Sequence, residues 1–484
     1  MAQRLRSRRP VKLYEKLATD IEVTIRKGVF RPGDRIPSVR QTSQHHQLSI
    51  TTVIRAYLLL ESKGVVESRP QSGYFVRQLD AGSDGNAHEL RASRPIAVSS
   101  EVDVSRLVLS TLRSIGTDEA VPLGSPYPDP NLFPSDKINR YAYGMSRKKE
   151  IWGVTDALPP GNPNLIRQIA RRYLENGASI DPNEVIITIG ATEAINLCLQ
   201  AVGKPGDTVA VESPTFYAML HAIERMGMRA IEIPTHAQEG MDLTVLADVL
   251  ENQKIAACMV MPNFQNPLGF QITDQKKREL VDLLTQYDVP VIENAVYNEL
   301  YFGDAHPRTL KSYDTQGLVL HCASFSKTLT AAHRIGWALP GRYREQVEKL
   351  KFLNTLTTSN LQQLAIAEYL QNDGYEHHLR RIRRLYAQQA NLMRTMVNRF
   401  FPEGTRTSTP AGGYVLWVEL PEKVDSMRLY QLALENGITI APGNMFSASN
   451  AYSNFIRLNY SYAWSPEIER AVQTVAKLAA ACAR

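Results

Sequence analysis

His321-Cys322-Ala323-Ser324-Phe325-Ser326-Lys327-Thr328-Leu329, followed by Arg334-Ile335-Gly336-Trp337, is the stretch whose reading decides the fold of this 484-residue chain. The apolar run 317–321 leads into it with strand composition, and the small hydroxyl residues after it put Lys327 where a strand ends and a loop begins. A lysine amine turns nucleophilic toward carbonyls when cationic neighbours and desolvation lower its pKa, and Arg334 is such a neighbour. Ser324, Ser326 and Arg334 also suit a bound phosphate, because guanidinium and hydroxyl donors make short hydrogen bonds to it. An aldehyde that carries a phosphate ester satisfies both halves of the pattern. Taken alone, Ser-x-Ser-Lys is better described as a solvated Lys and Arg beside a loop, and the rest of the chain reverses that preference.

A chain of this length exceeds one core and predicts two or three domains. Its 43% hydrophobic and 21% charged residues are ordinary for a soluble protein. No apolar run reaches membrane-spanning length and no apolar segment backs the charged start MAQRLRSRRP, so a cytoplasmic protein is expected. Cys198, Cys258, Cys322 and Cys482 stand far apart with no CxxC or His pairing, so neither a metal site nor a disulfide framework is expected and they read as buried thiols. The net charge of +6 is unevenly spread: residues 1–79 hold 15 Lys and Arg against 6 Asp and Glu, leaving 40 against 43 for the remainder. A small basic domain on a slightly acidic body points to nucleic acid as the first domain's partner.

In residues 1–77, Leu13, Leu17, Ile21 and Ile25 form one helical stripe that Gly28 stops. Ser38 caps a second helix over about 39–46, and Ser49 caps a third, in which Val53, Tyr57 and Leu60 face inward while Thr51, Thr52 and Arg55 face away. Two strands, 64–68 and 73–76, flank a turn at 69–73 and make a hairpin wing. Three helices and a wing form a winged helix-turn-helix, whose recognition helix enters the major groove. Through PGDRIPSVRQ at 32–41, SITTVIRAYLLLESKG at 49–64 and RPQSGYFV at 69–76, this domain resembles the GntR family of bacterial regulators. The resemblance implies that Arg40, Ser49, Thr51 and Thr52 contact double-stranded operator DNA, with Arg55 on the same face. It also implies that Arg35 steadies a phosphate and that Gly73 lets the wing approach the minor groove. Ile50 stands where family members commonly carry a guanine-reading arginine.

Residues 78–100, with Asp80-Ala81-Gly82-Ser83-Asp84-Gly85-Asn86, read as a flexible linker. The body, 101–484, begins with a proline-rich loop, 124–134, expected to lie over a site. Strands and helices then alternate: 165–175 (helix), 184–189, 194–201 (helix), 208–212, 215–226 (helix), 229–233, 255–261, 276–286 (helix), 290–293 and 319–321. The alternation predicts a mainly parallel sheet with helices on both faces and ligands at the carboxyl ends of its strands. Those ends carry Gly190-Ala191-Thr192, suited to a phosphate at a helix start, Phe216, suited to stacking on a ring, and Asn266, Asn294 and Tyr297.

From about residue 122 to 460 the body resembles the fold type I aminotransferases that use pyridoxal 5′-phosphate (PLP), so the expected fold is an α/β PLP-type body, with a large lobe of about 150–345 and a smaller α+β lobe of about 346–484 plus the N-terminal segment. By this resemblance Lys327 forms the internal aldimine, and Ala191, Thr192, Ser324, Ser326 and Arg334 hold the phosphate. Phe216 stacks on the ring, Asn266 and Tyr297 reach its O3′, and Arg457 clamps an α-carboxylate. Asn294 departs from the family pattern, which places an aspartate there to keep the ring nitrogen protonated; weak transaminase activity is therefore expected.

A GntR domain fused to such a body is the layout of the MocR-type regulators. That layout implies a transcription regulator that senses PLP or a small amino compound, working as a homodimer, head-to-tail in related proteins. An active aminotransferase with an accessory DNA-binding domain, and a PLP carrier without regulated DNA binding, are the alternatives.

Overall fold

The computed structural model of the chain describes residues 13–26, 29–30, 33–62, 65–69, 73–76, 90, 97–115, 120–147, 153 and 155–483. The expected stop at Gly28, Gly64, the wing turn at 70–72 and most of the linker 78–100 lie outside the described residues. The chain divides into two compact units, Met1–Ala87 and His88–Arg484.

In the first unit, helices Leu13–Arg26, Val39–His46 and Ile50–Ser62 precede an antiparallel pair, Val66–Arg69 with Gly73–Val76. Leu17, Val53, Tyr57 and Leu60 meet in its core, where Thr42 and Tyr57 share a 2.6 Å hydrogen bond and the Tyr57 hydroxyl donates to the Pro37 carbonyl. The Ser38 cap is reciprocal: its hydroxyl accepts from Gln41 N while the Gln41 side chain accepts from Ser38 N. Leu13 departs from the predicted stripe, being 62% exposed, because the core gathers one turn further along around Leu17 and Ala18.

The body holds a nine-stranded sheet. Its order is Ser100–Glu101, Arg229–His236, Thr208–Ser213, Ile255–Val260, Val291–Asn294, Val319–Ser324, Gly336–Leu339 and Ile186–Thr188, with Gly240–Met241 paired to Arg229–His236. The five central strands, from Arg229–His236 to Val319–Ser324, run parallel and the edges antiparallel, as the buried apolar runs of alternating strands and helices require. A four-stranded antiparallel sheet, Arg406–Thr407, Val415–Glu419, Phe455–Asn459 and Ala441–Pro442, forms the second lobe.

Several boundaries shift for local reasons. The strand expected over 184–189 is Ile186–Thr188, because Asp181 caps a tight turn at Pro182–Glu184 before it. The helix expected over 215–226 is Tyr217–Arg225, since Thr215 N is committed to the Phe446 carbonyl. The helix expected over 194–201 begins earlier, at Gly190. The strand expected over 319–321 runs on to Ser324, which pairs with Gly336. Cys198 and Cys322, distant in sequence, lie with their sulfurs 3.7 Å apart between helix Gly190–Val202 and the sheet, and Cys482 is half-buried rather than buried.

Candidate functional site

Strand Val319–Ser324 is buried along its length, with Val291–Asn294 parallel to it on one side and Gly336–Leu339 antiparallel on the other. At its end Ser324 caps a single tight turn, Phe325–Lys327, by accepting from Ser326 N. The turn carries Lys327 inward, not into an open loop. Its Nζ donates to the Pro126 carbonyl at 2.8 Å and lies 4.2 Å from the centre of the Tyr127 ring. Burial pushes the Lys327 pKa down to about 7, and the positive charges of Arg457 and Arg334 act in the same direction. Much of this amine is therefore neutral near pH 7, the form that attacks a carbonyl.

Arg334 has a φ of 52°, in the left-handed region, a conformation costing about 1–3 kcal/mol for a non-glycine residue. Its Nη1 donates to Ser326 Oγ at 3.2 Å. Two glycines let the remaining groups close around it. A Cβ on Gly190 would fall 2.7 Å from Arg334 Nη2, and one on Gly336 would fall 2.8 Å from Ala191 N. Helix Gly190–Val202 starts here with no side-chain cap, and Ile189 N is taken up by the Glu193 carboxylate. The first-turn N–H groups of Ala191 and Thr192 have no acceptor within the helix. A guanidinium, a serine hydroxyl and a helix N-terminus thus meet, which is a cradle for a phosphate.

Asn294 ends its strand, nearly fully buried, with Oδ1 accepting from Val296 N. Glu293 points to the opposite face, where Leu310 N, Lys311 N and His321 Nδ1 occupy its carboxylate. Asn266 Nδ2 donates to the Tyr297 hydroxyl at 3.2 Å. Phe216, half-buried, precedes helix Tyr217–Arg225 and packs its ring against Tyr217. Arg457 lies in strand Phe455–Asn459 at 0% exposure; it donates to the Gly124 carbonyl at 2.7 Å and to Asn266 Oδ1 at 3.4 Å, while its Nε has no partner. Among the described residues Arg457 forms no ion pair. A buried guanidinium with no carboxylate beside it is costly and fits an anion brought by a ligand. The donor cradle, the depressed lysine and this arginine fit PLP carrying an amino acid.

The sequence reading missed the groups that join these parts. The proline-rich loop supplies the Pro126 carbonyl and the Tyr127 ring to Lys327 and the Gly124 carbonyl to Arg457, and the Tyr414 hydroxyl reaches the same Pro126 carbonyl. Phe446 lies 5.3 Å beneath the Arg457 guanidinium. Only the loop's proline density signalled its part; Tyr414 and Phe446 gave no local signal.

In the first unit Arg35, Arg40, Thr51 and Arg55 are exposed and Thr52 is half-buried. The hydroxyls of Ser49 and Thr52 bond to each other at 2.8 Å, and Ser49 Oγ also caps Thr52 N. Gly73 has a φ of 100°, and a Cβ there would lie 3.3 Å from Arg35 Nε, so the wing's start and the Arg35 side chain require glycine at this position.

Two family models match. Aminotransferase class I and II covers residues 154–475, and the bacterial regulatory proteins of the gntR family cover 13–76. The HTH-type transcriptional regulator YdcR of Escherichia coli (strain K12) is 42% identical over 468 residues, covering 97% of this chain and 99% of that protein. The chain belongs to the MocR-type branch of the GntR family. A more distant relative, the HTH-type transcriptional regulator NorG of Staphylococcus aureus (strain USA300), is 25% identical and spans 91% of this chain and 98% of its own. Among solved structures, LysN of Thermus thermophilus, an alpha-aminoadipate aminotransferase complexed with N-(5′-phosphopyridoxyl)-L-leucine, superposes with a TM-score of 0.71 at 26% identity over 78% of this chain and 94% of its own. This MocR-type chain is thus a transcriptional regulator with an aminotransferase-type body. Among the described residues no helix is long and apolar enough to cross a membrane.

Proposed function

We propose that this MocR-type regulator holds PLP on Lys327 and reads a small amino compound through it, so that occupancy of the body changes how the N-terminal domain engages its operator. The observation that carries this reading is the pairing of a buried lysine, pKa about 7, with a fully buried Arg457 that no carboxylate among the described residues neutralises. When bound, PLP supplies an aldehyde that amines condense with and a ring that draws electrons from the bond beside the nitrogen. Arg334, Ser324, Ser326 and the Ala191 and Thr192 N–H groups hold its phosphate, Phe216 covers its ring, and Asn266 and Tyr297 orient its phenolic oxygen. Asn294 hydrogen-bonds the ring nitrogen without supplying the negative charge that would keep a proton there. Arg457 pairs with the effector's carboxylate. The likeness to aminotransferase-type bodies supports a homodimer, for which a head-to-tail arrangement is the form we favour.

The alternative, an active aminotransferase, is favoured by the LysN likeness and disfavoured by Asn294. Turnover of amino acid and oxo acid at ordinary enzyme rates would favour it over a sensor. Operator binding insensitive to every amine would favour a PLP carrier.

Two measurements check the parts separately. Because Lys327 titrates near 7 and not at the ordinary lysine value of 10.5, the rate at which the cofactor-free chain takes up PLP covalently rises with pH to about 8 and then levels. A rate that keeps climbing to pH 10 would place the amine in water. Arg40→Ala weakens operator binding by about 1–3 kcal/mol, lowers its salt dependence if the contact is to phosphate, and leaves the absorbance of bound PLP unchanged. Unaltered affinity and salt slope would show that the DNA-contact face lies elsewhere.

A further inference from the structure

We propose that Ile50 and Ile54 read thymine methyl groups in the major groove, so that the operator carries neighbouring T·A pairs beneath the start of helix Ile50–Ser62. This is the third helix of the first unit, the one that a helix-turn-helix lays in the major groove with its N-terminal residues at the base edges. Thymine reading rests on the operator binding proposed above and needs no PLP.

Two stripes run side by side along the exposed part of the helix. Thr51 and Arg55 form one; Ile50, Ile54 and Leu58 form the other, at 51%, 38% and 51% exposure. None of these three joins the core that gathers Val53, Ala56, Tyr57 and Leu60. Helix stability does not ask for the two isoleucines either, because at an exposed position isoleucine is a poorer helix former than alanine or leucine. Lone apolar residues are ordinary on a surface, but three on successive turns of one helix make a patch.

The surroundings select the occupant. Arg35, Arg40 and Arg55 are exposed, and residues 1–79 hold 15 Lys and Arg against 6 Asp and Glu. Neither the second nor the third helix has an acidic residue in its first turn, and the positive end of the helix dipole adds to the field there. Such a rim fits a polyanion. The hydrogen-bonding groups at the helix start are partly engaged already: Ser49 Oγ and Thr52 Oγ1 bond each other at 2.8 Å, and Ser49 Oγ accepts from Thr52 N at 3.1 Å.

Isoleucine offers neither donor nor acceptor, so a guanine, adenine or cytosine edge beside it would be dehydrated without a replacement partner. Thymine alone presents a methyl group in the major groove. One helical turn puts the Cβ atoms of Ile50 and Ile54 about 5–6 Å apart, a span of one to two base steps of ~3.4 Å. Two neighbouring thymines therefore suit the pair. Leu58, about 12 Å along the helix from Ile50, lies beyond the residues that reach base edges.

The test starts from duplexes that the full chain selects out of a random pool. Each thymine of a selected duplex is replaced in turn by deoxyuridine, which removes the methyl group and keeps every hydrogen-bonding group. At one or two positions of each recognised site the replacement should weaken wild-type binding about three- to fivefold, the worth of burying one methyl group. Ile50→Ala and Ile54→Ala should each lose the response at one of those positions, with the salt slope unchanged because the phosphate contacts remain. Leu58→Ala should keep the wild-type response. If no position of a tightly bound duplex is sensitive to deoxyuridine, or if both isoleucine variants retain the sensitivity, thymine reading is overturned while operator binding stands. Equal losses in Ile50→Ala, Ile54→Ala and Leu58→Ala on every duplex, deoxyuridine duplexes included, would overturn it in favour of a protein partner on the stripe. A full chain that selects no sequence would overturn operator binding and thymine reading together.

Discussion

Lys327→Ala yields a colourless protein that no longer retains PLP through gel filtration, whereas wild type emerges with the visible band of lysine-bound cofactor. The loss should be complete, because among the described residues no other buried lysine is free to serve. Lys277 pairs with Asp274, Lys351 with Glu193, and Lys311 with Glu184 and Asp314, while Lys327 has a carbonyl and an aromatic face but no carboxylate. Burial depresses the pKa of Lys277 and Lys351 as well, yet a paired ammonium is held away from the carbonyl chemistry that Lys327 is poised for. The fold should survive the substitution, since the Pro126 carbonyl keeps its bond from the Tyr414 hydroxyl. A coloured Lys327→Ala protein would mean that the cofactor sits on a different lysine.

Asn294→Asp should raise the single-turnover rate of half-transamination with an amino acid at least tenfold, about 1.4 kcal/mol of barrier, while leaving PLP affinity nearly unchanged. The backbone bond from Val296 N is retained by a carboxylate, so the new side chain can take the same position and add the charge that holds a proton on the ring nitrogen. On the proposed reading affinity should rest on other groups, chiefly Arg334, Ser326 and the start of helix Gly190–Val202. Glu293 does not supply that charge in wild type, because three donors hold its carboxylate on the far face of the strand. A slow wild type suits a sensor that leaves its signal intact. Equal rates in the two proteins, or a fast wild type, would shift the reading toward an enzyme.

What was legible in the sequence is what sits at the ends of strands. Ser324, Ser326, Lys327 and Arg334 are local to one turn, and Asn266, Asn294 and Tyr297 each end a strand or follow one closely, so a parallel sheet collects them without knowledge of any side-chain packing. Alternation of side chains also told that Asn294 and Glu293 face opposite ways. Contacts that bridge about 200 residues or more were not legible: Tyr127 on Lys327, Gly124 on Arg457, Tyr414 on Pro126. Cys198 and Cys322 illustrate the same limit, since spacing along the chain is silent about a helix laid across a strand. The left-handed backbone of Arg334 was equally hidden. In the first domain the stripe misassigned Leu13 because periodicity gives a face, not where along that face the core begins.

The central claim is that one protein joins an amine-reading pocket to an operator-reading domain. Its most direct test is the operator affinity of the PLP-loaded full chain at fixed salt, measured with and without a panel of amino acids and amines, for wild type beside Arg457→Ala and Lys327→Ala. At least one amino compound should change the wild-type dissociation constant or footprint about fivefold or more, the low end of ordinary allosteric coupling, and should change neither variant's. A wild-type footprint identical with and without every amine, or a response that both variants retain, would contradict the account.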